Sequence, residues 1–191
     1  MKNIIIFAFL FFVVSCKENY TPKPKGYFKV EFPEKKYIQY QGDCPYTFDY
    51  PVYAKIEKDN DKGALPCWIN VYYLSFDAKL HISYKTFSSK EKLYELEEDA
   101  RSMVYKHTVM AEAINEDVIK TDNQVYGIFY SLEGNTATVM QFYVTDKTSH
   151  YIRGALYFNV KTNRDSLDPM IDFLREDVKR MISTLKWKNE K

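Results

Sequence analysis

The chain is short of glycine, histidine and cysteine, and it carries almost no net charge. Only 6 of its 191 residues are glycine, which argues against the glycine-rich loops that cradle phosphate groups. Basic residues number 27 and acidic residues 26. Proteins that bind nucleic acid through electrostatics present an excess of basic charge, which this composition lacks. We therefore expect no phosphate-binding loop and no nucleic-acid partner.

The long hydrophobic run of the chain lies at its start and is too short to span a membrane. Lys2 precedes an unbroken apolar run over residues 4–14, and Ser15 and Cys16 follow it. As a helix this run rises about 16 Å, roughly half of a bilayer core. The run therefore predicts a secretory signal peptide over residues 1–15.

The end of this segment, Val13-Val14-Ser15-Cys16, resembles a bacterial lipobox. In a lipobox the cysteine thiol is alkylated with diacylglycerol and cleavage leaves that cysteine as the new N-terminus; leucine is usual where Val13 stands. The alternatives are an uncleaved anchor and an ordinary signal with an incidental cysteine, although no A-x-A cleavage site follows the run. We predict lipidation of Cys16 and attachment to a membrane through its acyl chains, each buried CH₂ of which contributes about 0.8 kcal/mol.

The other two cysteines, Cys44 and Cys67, are an even pair in a chain that is predicted to be exported. A disulfide between them closes a loop of about 23 residues and stabilises the fold by about 3 kcal/mol on the chain-entropy model. A redox pair and a metal site are the alternatives. Without a CxxC motif the pair makes a poor redox site, and two thiolates do not complete a tetrahedral zinc shell. We expect a structural disulfide, with no metal and no cofactor.

Residues 16–26 and 27–45 are predicted to form a lipid-anchored tether and an N-terminal arm. The tether is polar and carries two prolines, which favour an extended backbone. From Tyr27 to Tyr40 aromatic and charged residues alternate, which predicts a strand-like segment and a candidate contact element. Such a segment adds to the sheet edge of a partner or packs on its own domain, and the sequence leaves both possibilities open.

Residues 46–191 predict one α+β domain. An apolar stripe at three- and four-residue steps predicts a helix that Ser88 opens and that extends to Ala111, and a second helix is capped by Asp165 or Ser166. The predicted strands are Cys67–Phe76, Lys79–Tyr84, Gln124–Leu132, Thr136–Thr145 and His150–Asn159. This order is similar to the Mog1/PsbP-like α/β/α sandwich, so we expect a single antiparallel sheet with two packed helices.

The three histidines, His81, His107 and His150, form no recognisable catalytic or metal-binding motif. None has a second histidine, a cysteine or a carboxylate at a ligand spacing such as H-E-x-x-H, and the chain has no G-x-S-x-G, P-loop or S-x-x-K signature. We predict a non-catalytic protein with no catalytic, cofactor-binding or metal-binding residue and no small-molecule substrate. The alternative is a periplasmic enzyme or ligand-binding protein whose pocket is formed by polar groups around His81 or His150.

Four segments carry a resemblance to a known family: Thr21–Phe28, Phe32–Tyr37, Cys44–Phe48 and Cys67–Asn70. With the lipobox, they resemble the gliding-motility lipoprotein family GldD of the Bacteroidetes, from which the valine-rich lipobox departs. The resemblance implies an accessory envelope lipoprotein needed for gliding and for type IX protein secretion, with no assigned catalysis. Its partners would be other envelope proteins of those machineries, and it would face the periplasm from the inner or the outer membrane.

The anchor prediction is tested by the substitution Cys16→Ser. Because the thiol is the atom that would be alkylated, the variant should accumulate as an unprocessed precursor without lipid. Labelling cells with a radioactive fatty acid should mark the unsubstituted protein and leave the variant unlabelled. An unlabelled protein with Cys16 intact would contradict the prediction.

Overall fold

The computed structural model of the chain describes residues 31–159 and 164–188. The signal segment, Cys16, the tether and the first residues of the arm lie outside this part of the chain. The strands are β1 (Tyr37–Gln39), β2 (Tyr46–Thr47), β3 (Asp49–Pro51), β4 (Lys55–Lys58), β5 (Ile69–Tyr73), β6 (Ala78–Thr86), β7 (Ala111–Lys120), β8 (Tyr126–Gly134), β9 (Thr138–Thr145), β10 (His150–Phe158) and β11 (Lys186–Trp187). The helices are α1 (Lys90–Tyr105) and α2 (Arg164–Thr184), and 3₁₀ turns span Leu74–Phe76 and Lys106–Val109.

Seven strands form an antiparallel sheet in the order β4-β5-β6-β10-β9-β8-β7, with one helix on each face. Because successive side chains of a strand point to opposite faces of the sheet, each strand contributes residues to two separate cores, one under each helix. On β6, Leu80 and Ile82 belong to the larger core beneath α2, whereas His81 lies on the face of α1. A second, smaller core packs Ala100 and Val104 of α1 on tyrosines of β8, β9 and β10. The predicted α+β class with two packed helices is confirmed.

The prediction of a single sheet is wrong, because two small sheets stand beside the large one. One pairs β1 with β3, and the other pairs β11 with β2. Pro51 ends β3 and has no N–H to give to a ladder, so this segment suits a short edge pairing. The chain after α2 returns to the start of the domain, where Lys186 and Trp187 pair with Thr47 and Tyr46.

Strand β7 departs from the prediction, in which the first helix extends to Ala111, the first residue of this strand. In the structure α1 ends at Tyr105, and β7 then pairs with β8 along nearly its whole length. Alanine and glutamate in this segment favour helix by propensity, so the strand is imposed by its pairing partner. The start of α1 also differs, because Ser89 and not Ser88 is the N-cap, its Oγ accepting from the Lys92 N–H at 3.3 Å. Helix α2 begins at Arg164, slightly before the predicted cap.

Candidate functional site

A buried carboxylate on α2 holds the described part of the arm against the domain. The Asp177 side chain is fully buried. Its Oδ1 accepts hydrogen bonds from Lys35 Nζ and the Tyr37 hydroxyl, both at 2.8 Å, and its Oδ2 accepts one from the Tyr53 hydroxyl at 2.5 Å. A buried charge is tolerated only when it is paired and hydrogen-bonded, and these three donors meet that need. We call Lys35, Tyr37, Tyr53 and Asp177 the arm latch.

The electrostatics of the latch keep its two tyrosines protonated. Burial, and then the hydrogen bond to the Asp177 carboxylate, raise the pKa of both Tyr37 and Tyr53 well above the usual tyrosine value. Lys35 also donates to the Phe173 carbonyl at 2.6 Å, and its ammonium lies 3.9 Å from the centroid of the Phe173 ring. The ring of Phe32 stacks on the same phenylalanine with centroids 4.6 Å apart. The arm from residue 32 onward therefore lies along α2.

The opposite side of the arm faces solvent. Register pairs Ile38 with Tyr50 and Tyr37 with Pro51, so Lys36, Ile38 and Val52 lie on the side away from the latch. Ile38 is 47% exposed and Val52 is 50% exposed. We call Glu34, Lys36, Ile38 and Val52 the outer arm face. The described part of the predicted contact element thus packs with one side and presents the other.

The second fixed point of the arm is a disulfide between Cys44 and Cys67, whose Cα atoms are 5.4 Å apart. It joins the end of the arm to the segment that enters β5. The Tyr46 hydroxyl donates to the Cys67 carbonyl at 2.7 Å, and the Tyr40 hydroxyl contacts Cys44 Sγ at 3.6 Å. The latch and the disulfide therefore hold the described arm at both ends.

The structure does not bring the three histidines together. His150 is buried on the α2 side, where its Nδ1 is 2.7 Å from the Tyr84 hydroxyl and its ring stacks on Trp187. His81 lies on the opposite face of the sheet, edge-on to Tyr157, and burial lowers its pKa. His107 follows α1 in a 3₁₀ turn, and burial, then the charge of Arg153, lower its pKa.

A cleft between α1 and strands β6 and β10 lies beside His81, where the alternative prediction expects a pocket, and it also contains Arg153, which that prediction does not name. Its volume is about 250 Å³, and His81 and Arg153 line it. Asn70, His81, Ala155 and Gln141 are register partners on β5, β6, β10 and β9, so they form one row across this face of the sheet. Arg153 Nη2 donates to Gln141 Oε1 at 2.5 Å. We call this space the Arg153 cleft.

Three buried atoms in this row or beside it have no hydrogen-bond partner within the described part of the chain. They are Asn70 Oδ1, Gln141 Nε2 and Arg153 Nε. Buried polar atoms are nearly always satisfied, so three on one patch of sheet are unusual. In the predicted meander Gln141 and Arg153 stand on the outward face, opposite Met140 and Ile152, and their meeting becomes specific only once the register of the strands is known.

Comparison with known proteins identifies the family. The family model for the gliding motility lipoprotein GldD matches residues 17–187. The chain belongs to this family. Among solved structures, cyanobacterial PsbP (CyanoP) from Synechocystis is similar at 13% sequence identity and a TM-score of 0.49, over 81% of this chain and 94% of that chain. None of the curated protein sequences matches the chain.

Membership of the GldD family makes this protein a gliding-motility lipoprotein of the cell envelope that is anchored to a membrane. In residues 31–159 and 164–188, no helix is long and apolar enough to cross a bilayer. The same residues contain no group of three or more histidine, cysteine or acidic side chains that could hold a metal ion. In this GldD-family domain the arm latch, the outer arm face and the Arg153 cleft are the features that need a functional explanation.

The arm latch is tested by Asp177→Asn, which keeps the shape of the side chain and removes its charge. Lys35 then loses its buried counter-charge, so the free energy of unfolding should fall by about 3 kcal/mol. Urea denaturation measures this loss, and hydrogen exchange should show faster exchange of the amides in residues 35–40.

The matched control is Asp172→Asn, on the same helix. This side chain is 71% exposed and pairs with Arg175, so its loss should change stability by less than about 0.5 kcal/mol. Equal losses in the two variants, or an unchanged arm in Asp177→Asn, would show that the latch does not hold the arm.

Proposed function

We propose that this protein is a non-catalytic, accessory lipoprotein of the gliding machinery and of type IX secretion, and that it acts by binding other envelope proteins through the outer arm face. The lipid on Cys16 and the tether over residues 16–26 would hold the domain on the periplasmic side of a membrane. The observation that carries the proposal is the one-sided packing of the arm. The latch fixes its inner side, and a small, rigid surface is left facing outward.

The outer arm face lies beside a strand edge that could bind a partner strand. Strand β1 pairs with β3 on one side only, so within the described residues its other edge has free backbone groups to offer to a partner strand. Ile38 and Val52 add exposed apolar surface beside the charges of Glu34 and Lys36. Because the latch and the disulfide fix the backbone beforehand, little further ordering would be required on binding.

The predicted lipid tether supports a function in which the domain acts by binding neighbouring proteins. A lipid-anchored domain meets its neighbours at a raised effective concentration without any additional contact area. A modest surface such as the outer arm face would therefore suffice for a partner held in the same membrane.

The positions of the histidines support the non-catalytic part of the proposal. His150 is engaged by the Tyr84 hydroxyl and by Trp187 on one face of the sheet, and His81 lies on the other face. These two side chains are therefore not placed to act on one substrate. A periplasmic ligand-binding protein is the second candidate, and the observation that favours it is the Arg153 cleft.

The proposal is tested by reversing charge on the outer arm face with Lys36→Glu combined with Ile38→Asp. Both side chains point away from the latch, so the domain should stay folded while gliding and secretion fall several-fold. Thermal melting of the purified protein measures folding, and colony spreading and assays of secreted proteins measure function.

The matched control is Lys55→Glu on β4, because Lys55 and Lys36 are 66% and 65% exposed. It should leave gliding and secretion unchanged, as should His81→Ala, His107→Ala and His150→Ala wherever the variant folds. A fully folded histidine variant that neither glides nor secretes would overturn the non-catalytic proposal in favour of an enzyme.

A further inference from the structure

Arg153 is a half-buried cation that forms no ion pair within the described residues. Among the same residues its side chain donates a hydrogen bond to Gln141. Removing a guanidinium from water without a partner is unfavourable, and an anion beside it would offset that cost. Arginine binds carboxylates through its planar fork of N–H groups.

The polar atoms beside Arg153 include unpaired donors and an unpaired acceptor. Within the described residues, Arg153 Nε and Gln141 Nε2 are N–H donors buried without an acceptor, and Asn70 Oδ1 is an acceptor buried without a donor. Gln141 is only 1% exposed and is not part of the cleft lining, so the preference for an anion comes from the charge of Arg153.

The other walls of the Arg153 cleft are acidic or apolar. Asp59, Asp61 and Asp99 line it from the loop after β4 and from α1. Apolar surface comes from Trp68, whose indole N–H is held by the Tyr84 carbonyl at 2.8 Å, and from Met103. The cleft therefore combines a cationic floor, an acidic wall and an apolar wall within about 250 Å³.

These walls discriminate between classes of ligand. A simple anion would be repelled by the three carboxylates, and a simple cation would be repelled by Arg153 and by Lys85, which also lines the cleft. A zwitterion satisfies both charged walls at once. The volume lies just below the usual range for small-molecule sites, so the ligand must be small.

We propose that the Arg153 cleft binds a zwitterionic α-amino acid with an apolar side chain. Its carboxylate lies on the guanidinium of Arg153, its ammonium lies on the acidic wall, and its side chain lies against Trp68 and Met103. The amino acid is bound and not converted. This inference is independent of the proposed contact function, because the outer arm face takes no part in the cleft.

The experiment is isothermal titration calorimetry of the mature protein in detergent with L-leucine, 4-methylpentanoate and leucinamide. The second compound lacks the ammonium and the third lacks the carboxylate. Leucine should bind saturably, and each of the other two at least tenfold more weakly. Absence of saturable binding of leucine up to about 10 mM, or equal affinity for all three compounds, would overturn the proposal.

Variants of the protein test whether the charged residues of the cleft bind the amino acid. Arg153→Met, and separately the combined change of Asp59, Asp61 and Asp99 to asparagine, should each weaken leucine binding at least tenfold. The matched controls are Arg101→Met and Glu98→Gln, which alter an exposed ion pair on α1 and should leave affinity unchanged. Unchanged affinity in folded Arg153→Met would overturn the assignment. If that variant does not fold, the comparison of the three compounds still decides.

Discussion

The burial of Asp177 is the constraint on which the arrangement of the outer surface depends. A carboxylate inside the protein requires donors, and this one takes an ammonium and a phenol from the arm and a second phenol from Tyr53. These donors come from two separate segments, so the single charge joins the arm, the loop before β4 and helix α2. The disulfide and the pairing of β2 with β11 fix the other end of the same region. A segment that could have been a free tail is thereby part of the folded domain.

Local patterns predicted the elements whose residues alternate or repeat cleanly. Strand β6, the meander of β8 to β10 and the apolar stripes of both helices follow the periodicities of 2 and 3.6 residues, so their positions were predictable. Strand β7 was not, because its alanines and glutamates favour helix and only pairing with β8 makes it extended. Strand β1 lies in the segment from Tyr27 to Tyr40 that is predicted to be strand-like, but its pairing with β3, like that of β2 with β11, involves only two or three residues and could not be predicted. β2 and β11 are also far apart in the chain.

The candidate sites were harder to predict than the fold because they depend on register and burial. Asp177 lies three residues after Leu174 and four before Met181, on the apolar stripe of the helix, whereas the exposed Asp172 does not, but the donors that Asp177 binds come from segments far away in the chain. Gln141 and Arg153 meet only because β9 and β10 pair in one particular register. The disulfide between Cys44 and Cys67 was predictable, because in a chain predicted to be exported they are the two cysteines that remain once Cys16 is assigned to the lipid anchor. The two proposed binding surfaces lie on different elements, the arm on α2 and the cleft beneath α1, so binding at one would leave the other accessible.

The central claim is that the outer arm face contacts another envelope protein. Site-specific photo-crosslinking in living cells tests it most directly, with the photoreactive residue placed at position 38 and, as a control, at position 94. Tyr94 is 63% exposed on α1, away from the arm. The account predicts a discrete adduct of higher mass from position 38 and none from position 94. No adduct from position 38, or the same adduct from both positions, would contradict it.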